Sequence, residues 1–155
     1  MTGIVKRPLI AILADERWLM VFDTKIAIIV RDDLATWQKL NVTAFLMSGI
    51  TAANKDLIGE KYVDKDGKHH LPMSRQPVIV LSGAANVLRN ARNRANERGI
   101  ATVAYIEEMF STGHDEANRA VFSEHMANED NTVGIALRAD KKTVDKIAKG
   151  AKMHS

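Results

Sequence analysis

The sequence predicts a three-layer α/β sandwich, and three observations carry that prediction. Short runs rich in Ile and Val alternate with longer stretches whose apolar residues recur every three or four positions, which marks strands alternating with amphipathic helices. The strand runs are apolar at consecutive positions, the profile of strands covered on both faces. The 155 residues, 46% hydrophobic and 26% charged, suit one domain around one sizeable core. Helices that cross between near-parallel strands must then cover both faces of the sheet.

Residues Met1 to Leu19 carry the basic pair Lys6 and Arg7 and an apolar run, Leu9 to Ala14, followed at once by Asp15 and Glu16. Small cleavage-site residues would stand there in a secretory signal. Met20 then opens the run that leads into the first strand, so residues 1–19 are expected to be an N-terminal extension and 20–155 the single α/β domain.

Lys25 to Arg31 is the first strand and ends in Arg31-Asp32-Asp33. Asp33 is placed to cap the next helix, because a short carboxylate reaches the unpaired backbone donors of a first turn. That helix is expected from Ala35 to Ala53, with Trp37, Leu40, Ala44 and Met47 as its core stripe and Phe45 and Leu46 widening it. Asp64-Lys65-Asp66-Gly67 reads as the turn of a small exposed hairpin. Pro77 to Leu81 is the second buried strand, with Pro at its permitted first position.

Ser82-Gly83 leads into a helix from Ala84 to Arg98, with Val87, Leu88, Ala91 and Ala95 facing inward and Gly99 ending it. Ile100 to Ile106 is the third strand, Glu107 to Thr112 a loop, and Asp115 to Met126 a helix. Thr132 to Leu137 is the fourth strand. The chain closes on a helix over Lys141 to Lys149 that turns Val144, Ile147 and Ala148 inward.

Composition narrows the function. The chain has no cysteine, which removes disulfides, thiol catalysis and cysteine-held zinc together and fits a reducing cytoplasm. Its apolar runs fall far short of the roughly 20 residues of a membrane-spanning helix. A net charge of +3 is too mild to name nucleic acid as partner. Adjacent His69 and His70 would point to opposite faces of a strand, so the histidines form no metal site. Ser82-Gly83-Ala84-Ala85 lacks both the dinucleotide fingerprint and the phosphate-loop lysine, so it reads as an ordinary strand-to-helix turn and no cofactor is expected.

The run KIAIIVRDDLATWQKLNVTA at Lys25 to Ala44, with the stretches Leu57 to Gly67 and Leu71 to Val80, resembles the signature of a small bacterial family known only as a domain of unknown function. That family is similar in fold to the archaeal and eukaryotic type of peptidyl-tRNA hydrolase. The resemblance implies a four-stranded mixed central sheet between helical layers and allows a homodimer. Asp33 and Leu34 match the Asp-Leu that follows the hydrolases' first strand. Lys39 lies one position from their lysine, Ala44 stands where they carry a glutamine, and Glu107 and Ser111 fall where they carry an aspartate and a threonine.

Two functional readings follow. In the first the protein is a binding module for a small or nucleotide-like ligand, held by Asp33, Trp37, Gln38 and Asn41 with Glu107 beside the carboxyl end of the first strand, where open α/β sheets bind ligands. Capping by Asp33 and core packing of Trp37 are the plain structural alternatives. In the second, implied by the resemblance, it hydrolyses an ester or amide linked to nucleic acid, with Lys39 as electrostatic clamp, Glu107 as base and Ser111 orienting water. Arg89, Arg92, Arg94 and Arg98 crowd one helix. They are expected to pair with the acidic residues of 97, 107, 108 and 115–130 or to lie in a dimer contact, and not to form the free basic face that nucleic-acid binding needs.

Overall fold

The structure, a computed structural model, describes residues 22–155; the extension expected at 1–19 and the start at Met20 lie outside the described residues. In chain order the elements are β1 (Thr24–Arg31), α1 (Thr36–Ala53), a 3-10 turn (Lys55–Leu57), β2 (Tyr62–Val63), β3 (His69–His70), β4 (Val78–Gly83), α2 (Ala85–Glu97), β5 (Val103–Ile106), a second 3-10 turn (Glu107–Ser111), α3 (Asp115–Phe122), β6 (Thr132–Asp140), α4 (Lys141–Ile147) and β7 (Lys152–Met153).

The main sheet is mixed and has five strands in the order β5-β6-β1-β4-β7. Four strands were expected. The fifth, β7, pairs Met153 with Leu81 and Lys152 with Ser82. It is two residues long and begins with a lysine in a basic tail, so no apolar run announces it. Among the described residues only β1 and β4 run parallel, in the register Ile26↔Val78 to Arg31↔Gly83. The β1–β6, β5–β6 and β4–β7 pairs are antiparallel. The expectation of near-parallel strands therefore holds for one pair alone, the one whose connection carries α1.

Alternation along β1 builds the two cores. Ile26, Ile28 and Val30 face Val42, Leu46 and Ile50 of α1, while Ala27 and Ile29 face Leu88, Ala91 and Ala95 of α2 with Val144 and Ile147 of α4. A central strand buried on both sides must be apolar at every position, and Ile26 to Val30 is. The three layers expected from the sequence are thus α1, the sheet, and α2 with α4.

The inward stripe of α1 is not the one expected. Val42, Leu46 and Ile50 are buried, Met47 is partly buried, and Trp37 and Leu40 are 62% and 68% exposed. The helix is apolar nearly all round, so two stripes at three- and four-residue spacing compete and periodicity alone cannot rank them. Gly134 of β6 decides which side meets the sheet, because a Cβ there would lie 2.4 Å from Val42 Cγ1 and 2.9 Å from Leu46 Cδ1. The missing side chain lets α1 approach.

The other differences are local. Asp33 does not cap α1; the N-cap is Ala35, and Asp33 instead accepts a hydrogen bond from Arg31. Residues 107–111 are a 3-10 turn where a loop was expected, and α3 stops at Phe122 and not at Met126. The third expected strand begins at Val103, with Ile100 packed beside the core instead of paired in the sheet.

The arginines of α2 are engaged within the domain. Arg89 pairs with Asp130 at 2.7 Å. Arg92 is buried, donates to Thr132 Oγ1 at 3.2 Å and lies over the Phe122 ring at 5.0 Å. Arg94 donates to the carbonyls of Ile147 and Lys149, and Arg98 to that of Arg94. The carboxylate pairing expected for these arginines is met by Arg89 alone, through Asp130 of the 115–130 segment; among the described residues the other three donate to a hydroxyl and to backbone carbonyls instead.

Candidate functional site

Arg31 organises the carboxyl end of β1. It is the last residue of the strand, its side chain is 11% exposed, and β4 beside it ends at the same level, with Asp32 N–H donating to the Gly83 carbonyl at 2.9 Å. Arg31 Nε donates to Asp33 Oδ1 at 2.6 Å and Nη1 to Glu107 Oε2 at 3.2 Å. Burial alone would lower the pKa of this guanidinium, but the hydrogen bonds and charges of Asp33 and then Glu107 outweigh it and hold the pKa above its ordinary value. One cation therefore ties together the end of β1, the approach to α1 and the turn after β5. Both carboxylates keep well-exposed faces, so the cluster presents an excess of acceptors.

Aromatic rings continue from this cluster. The Trp37 indole meets Phe110 edge-on at 5.9 Å, Phe110 meets Tyr105 at 5.2 Å, and Tyr105 meets Phe45 at 5.9 Å. Trp37 is thus neither a core residue nor a loose one. Its ring stands half free on the supporting phenyl group of Phe110, in the same turn as Glu107, which suits stacking by a planar ligand.

Of the residues expected at the site, Asp33 and Glu107 meet through Arg31, and Trp37 joins the same turn through Phe110. Gln38 uses its side-chain oxygen to accept the Ala35 N–H at 2.9 Å and so secures the first turn of α1. Asn41 is exposed on the following turn. Lys39 is half-buried and Ser111 exposed. Among the described residues no hydrogen bond or ion pair joins Lys39 to Glu107 or to Ser111. Sequence reasoning missed Arg31 and Phe110. The first could have been found as the charged residue that closes a doubly covered strand and is followed by two aspartates.

The turn after β5 is also braced from the far side. Asn131 Nδ2 donates to Glu108 Oε2 at 3.0 Å, and Glu107 N–H donates to the Asn131 carbonyl at 2.9 Å. His125 meets Glu129 at 3.1 Å and Glu108 at 3.8 Å. The hydrogen bond that Glu129 accepts from the His125 ring is the main cause that raises the His125 pKa above 6.5; burial opposes it, and the charges of Glu108, Glu129 and Glu124 add to it. Glu129 is lowered from 4.5 by the same hydrogen bond.

A sign follows for stability. The His125 contribution is full below pH 6.5 and is lost as pH rises through the raised folded value, while that of Glu129 is full above pH 4.5 and is lost as pH falls through its lowered one. Urea midpoints are expected to decline as pH rises above 6.5, and His125→Gln is expected to flatten that decline. An unchanged slope in the variant would place the dependence elsewhere.

Among the described residues no group of three or more His, Asp or Glu side chains is placed to hold a metal ion, and no helix is long and apolar enough to cross a membrane. Comparison with known proteins gives a family and no activity. A family model described as a protein of unknown function, DUF2000, matches residues 24–155. The chain is similar to a solved protein of unknown function from Agrobacterium tumefaciens strain C58, at 58% identity and a TM-score of 0.85 over 86% of this chain and 99% of that one. No curated protein matches the chain.

Proposed function

The chain belongs to the DUF2000 family of proteins of unknown function, and from that premise we propose that it is a small-molecule binding module whose site lies at the carboxyl end of β1. Asp33, Trp37, Gln38 and Asn41 with Glu107 form the site around Arg31. The observation that carries the reading is the double hydrogen bond of Arg31 to Asp33 and Glu107, which gathers three segments of chain, one of them the turn whose Phe110 supports the exposed Trp37 indole.

The chemistry indicates the ligand. Two carboxylates against one guanidinium leave acceptors over, and Trp37 offers a flat apolar face, so a planar molecule bearing hydrogen-bond donors, such as a nucleobase or nucleoside, fits better than one led by phosphate. Arg31 is already engaged on both sides, so it does not act as a free anion hook. The same engagement weakens the alternative reading as a hydrolase with Lys39 as clamp, Glu107 as base and Ser111 orienting water, because Glu107 already accepts a hydrogen bond from Arg31.

A thermal-shift screen of nucleobases, nucleosides and amine-bearing metabolites tests the proposal. At least one compound is expected to raise the melting temperature of the wild type and to lose most of that effect in Trp37→Ala and Asp33→Asn, since a ligand held at about 100 times its Kd stabilises by about 2.7 kcal/mol. No stabiliser, or stabilisation untouched by both substitutions, would overturn the site. Turnover of an ester-linked aminoacyl-nucleotide that Lys39→Ala abolishes would favour the hydrolase instead.

A further inference from the structure

A second concavity lies beyond the far end of the aromatic chain, past Tyr105 and Phe45. It opens along β5, an edge strand of the sheet, between α1 and α3, as a cleft of about 460 Å³ open to solvent, within the usual size range for small-molecule pockets. Phe45, Val103, Tyr105, Met109 and Phe122 give it apolar and aromatic walls.

Tyr105 is the informative residue. Most of it is buried, at 6% exposure, and burial pushes its phenol pKa upward; its hydroxyl has no hydrogen bond among the described residues and stays open to solvent, since the buried side-chain atom without a partner there is Asn131 Oδ1. A tyrosine hydroxyl on the lining of an apolar cleft, without a partner in the protein and reachable from solvent, is free to donate to an acceptor bound there. Asn118, on the opposite wall, accepts the Thr112 hydroxyl with its amide oxygen, which leaves its amide N–H groups as further donors. The charged side chains of the lining, Asp115 and Arg119, neutralise each other across one helical turn at 2.5 Å.

We infer that this cleft is a separate binding site for an uncharged aromatic molecule carrying a carbonyl or ether acceptor, whose ring lies among Phe45, Met109 and Phe122 and whose acceptor takes the Tyr105 hydroxyl. The charged side chains of the walls are matched to each other, so the lining offers an ionic ligand no free counter-charge and suits an uncharged one. The site shares no lining side chain with the one at the end of β1, so each stands or falls by itself.

The uncharged naphthyl ketone 6-propionyl-2-dimethylaminonaphthalene is a suitable probe, because it has the size and the single carbonyl required and its emission shifts to the blue in an apolar pocket. The wild-type chain is expected to bind it with a blue shift. Tyr105→Phe keeps the shape and removes only the hydroxyl, so affinity should fall about 3- to 10-fold, the range of one neutral hydrogen bond. Ser123→Trp, at an exposed rim position, should fill the cleft and abolish binding while circular dichroism stays unchanged. Trp37→Ala should bind as the wild type does, which separates this site from the proposed one. Absent wild-type binding, or affinity equal to wild type in Tyr105→Phe or in folded Ser123→Trp, would overturn the inference.

Discussion

Replacing Ile28 with alanine is expected to destabilise the fold by about 3 to 4 kcal/mol, within the range measured for isoleucine truncations in well-packed cores. Ile28 is fully buried in the middle of β1, opposite Val80 of β4 and Ala136 of β6, and its side chain belongs to the cluster that packs beneath α1. The strands on both sides hold their positions by backbone pairing, so the vacated volume cannot collapse. For a domain of this size such a loss corresponds to a fall of roughly 10 °C in melting temperature. Ile28→Val removes one methylene and should cost about 1 kcal/mol. Urea unfolding checks both, with the midpoint moving and the slope constant. A loss under 1 kcal/mol for the alanine variant would mean that β1 is not the central strand.

Gly134→Ala is expected to cost about 3 kcal/mol for the opposite reason, since one added methyl overpacks the contact between sheet and helix. The new Cβ would stand 2.4 Å from Val42 Cγ1 and 2.9 Å from Leu46 Cδ1. Both neighbours are buried side chains on α1, so relief requires the helix itself to lift. Gly113→Ala provides the comparison, because nothing lies within 4 Å of a Cβ there and the change should stay within about 0.5 kcal/mol. Equal stability of the two variants by denaturant titration would contradict the placement of α1 on this face of the sheet.

How much the sequence disclosed depended on whether a single physical signal dominated each segment. Ile26 to Val30 has no polar interruption, and a buried central strand is what such a run can become. In α2 the polar residues outnumber the apolar ones, so the inward set Val87, Leu88, Ala91 and Ala95 stood out; the last three are buried and Val87 is half-buried. In α1 the apolar residues surround the helix, and what selects Val42, Leu46 and Ile50 is a glycine about 90 residues away on β6, a long-range fact that local periodicity does not contain.

The site divided in the same way. Asp33 and Glu107 were legible as carboxylates at strand ends, whereas their union depends on Arg31, which in sequence only closed a strand. Asp33 was read as a helix cap because the cap preference of aspartate is strong, but Arg31 two residues upstream offers it a charge-assisted partner, and the helix starts later. The Tyr105 cleft could not be read at all, since its walls come from α1, β5 and α3 and meet only in the folded chain.

The central claim, that the carboxyl end of β1 binds a planar donor-bearing molecule, is tested most directly by two-dimensional NMR of the ¹⁵N-labelled protein titrated with the strongest stabiliser from the thermal-shift screen. Trp37→Phe assigns the Trp37 indole signal. The account predicts that this signal, the backbone amides of 31–38 and the Arg31 Nε–H move together along one saturation curve, while the signals of Tyr105 and Asn118 neighbours in the β5 cleft stay nearly fixed. A saturating titration that leaves the Trp37 indole and the Arg31 Nε–H unmoved would contradict it.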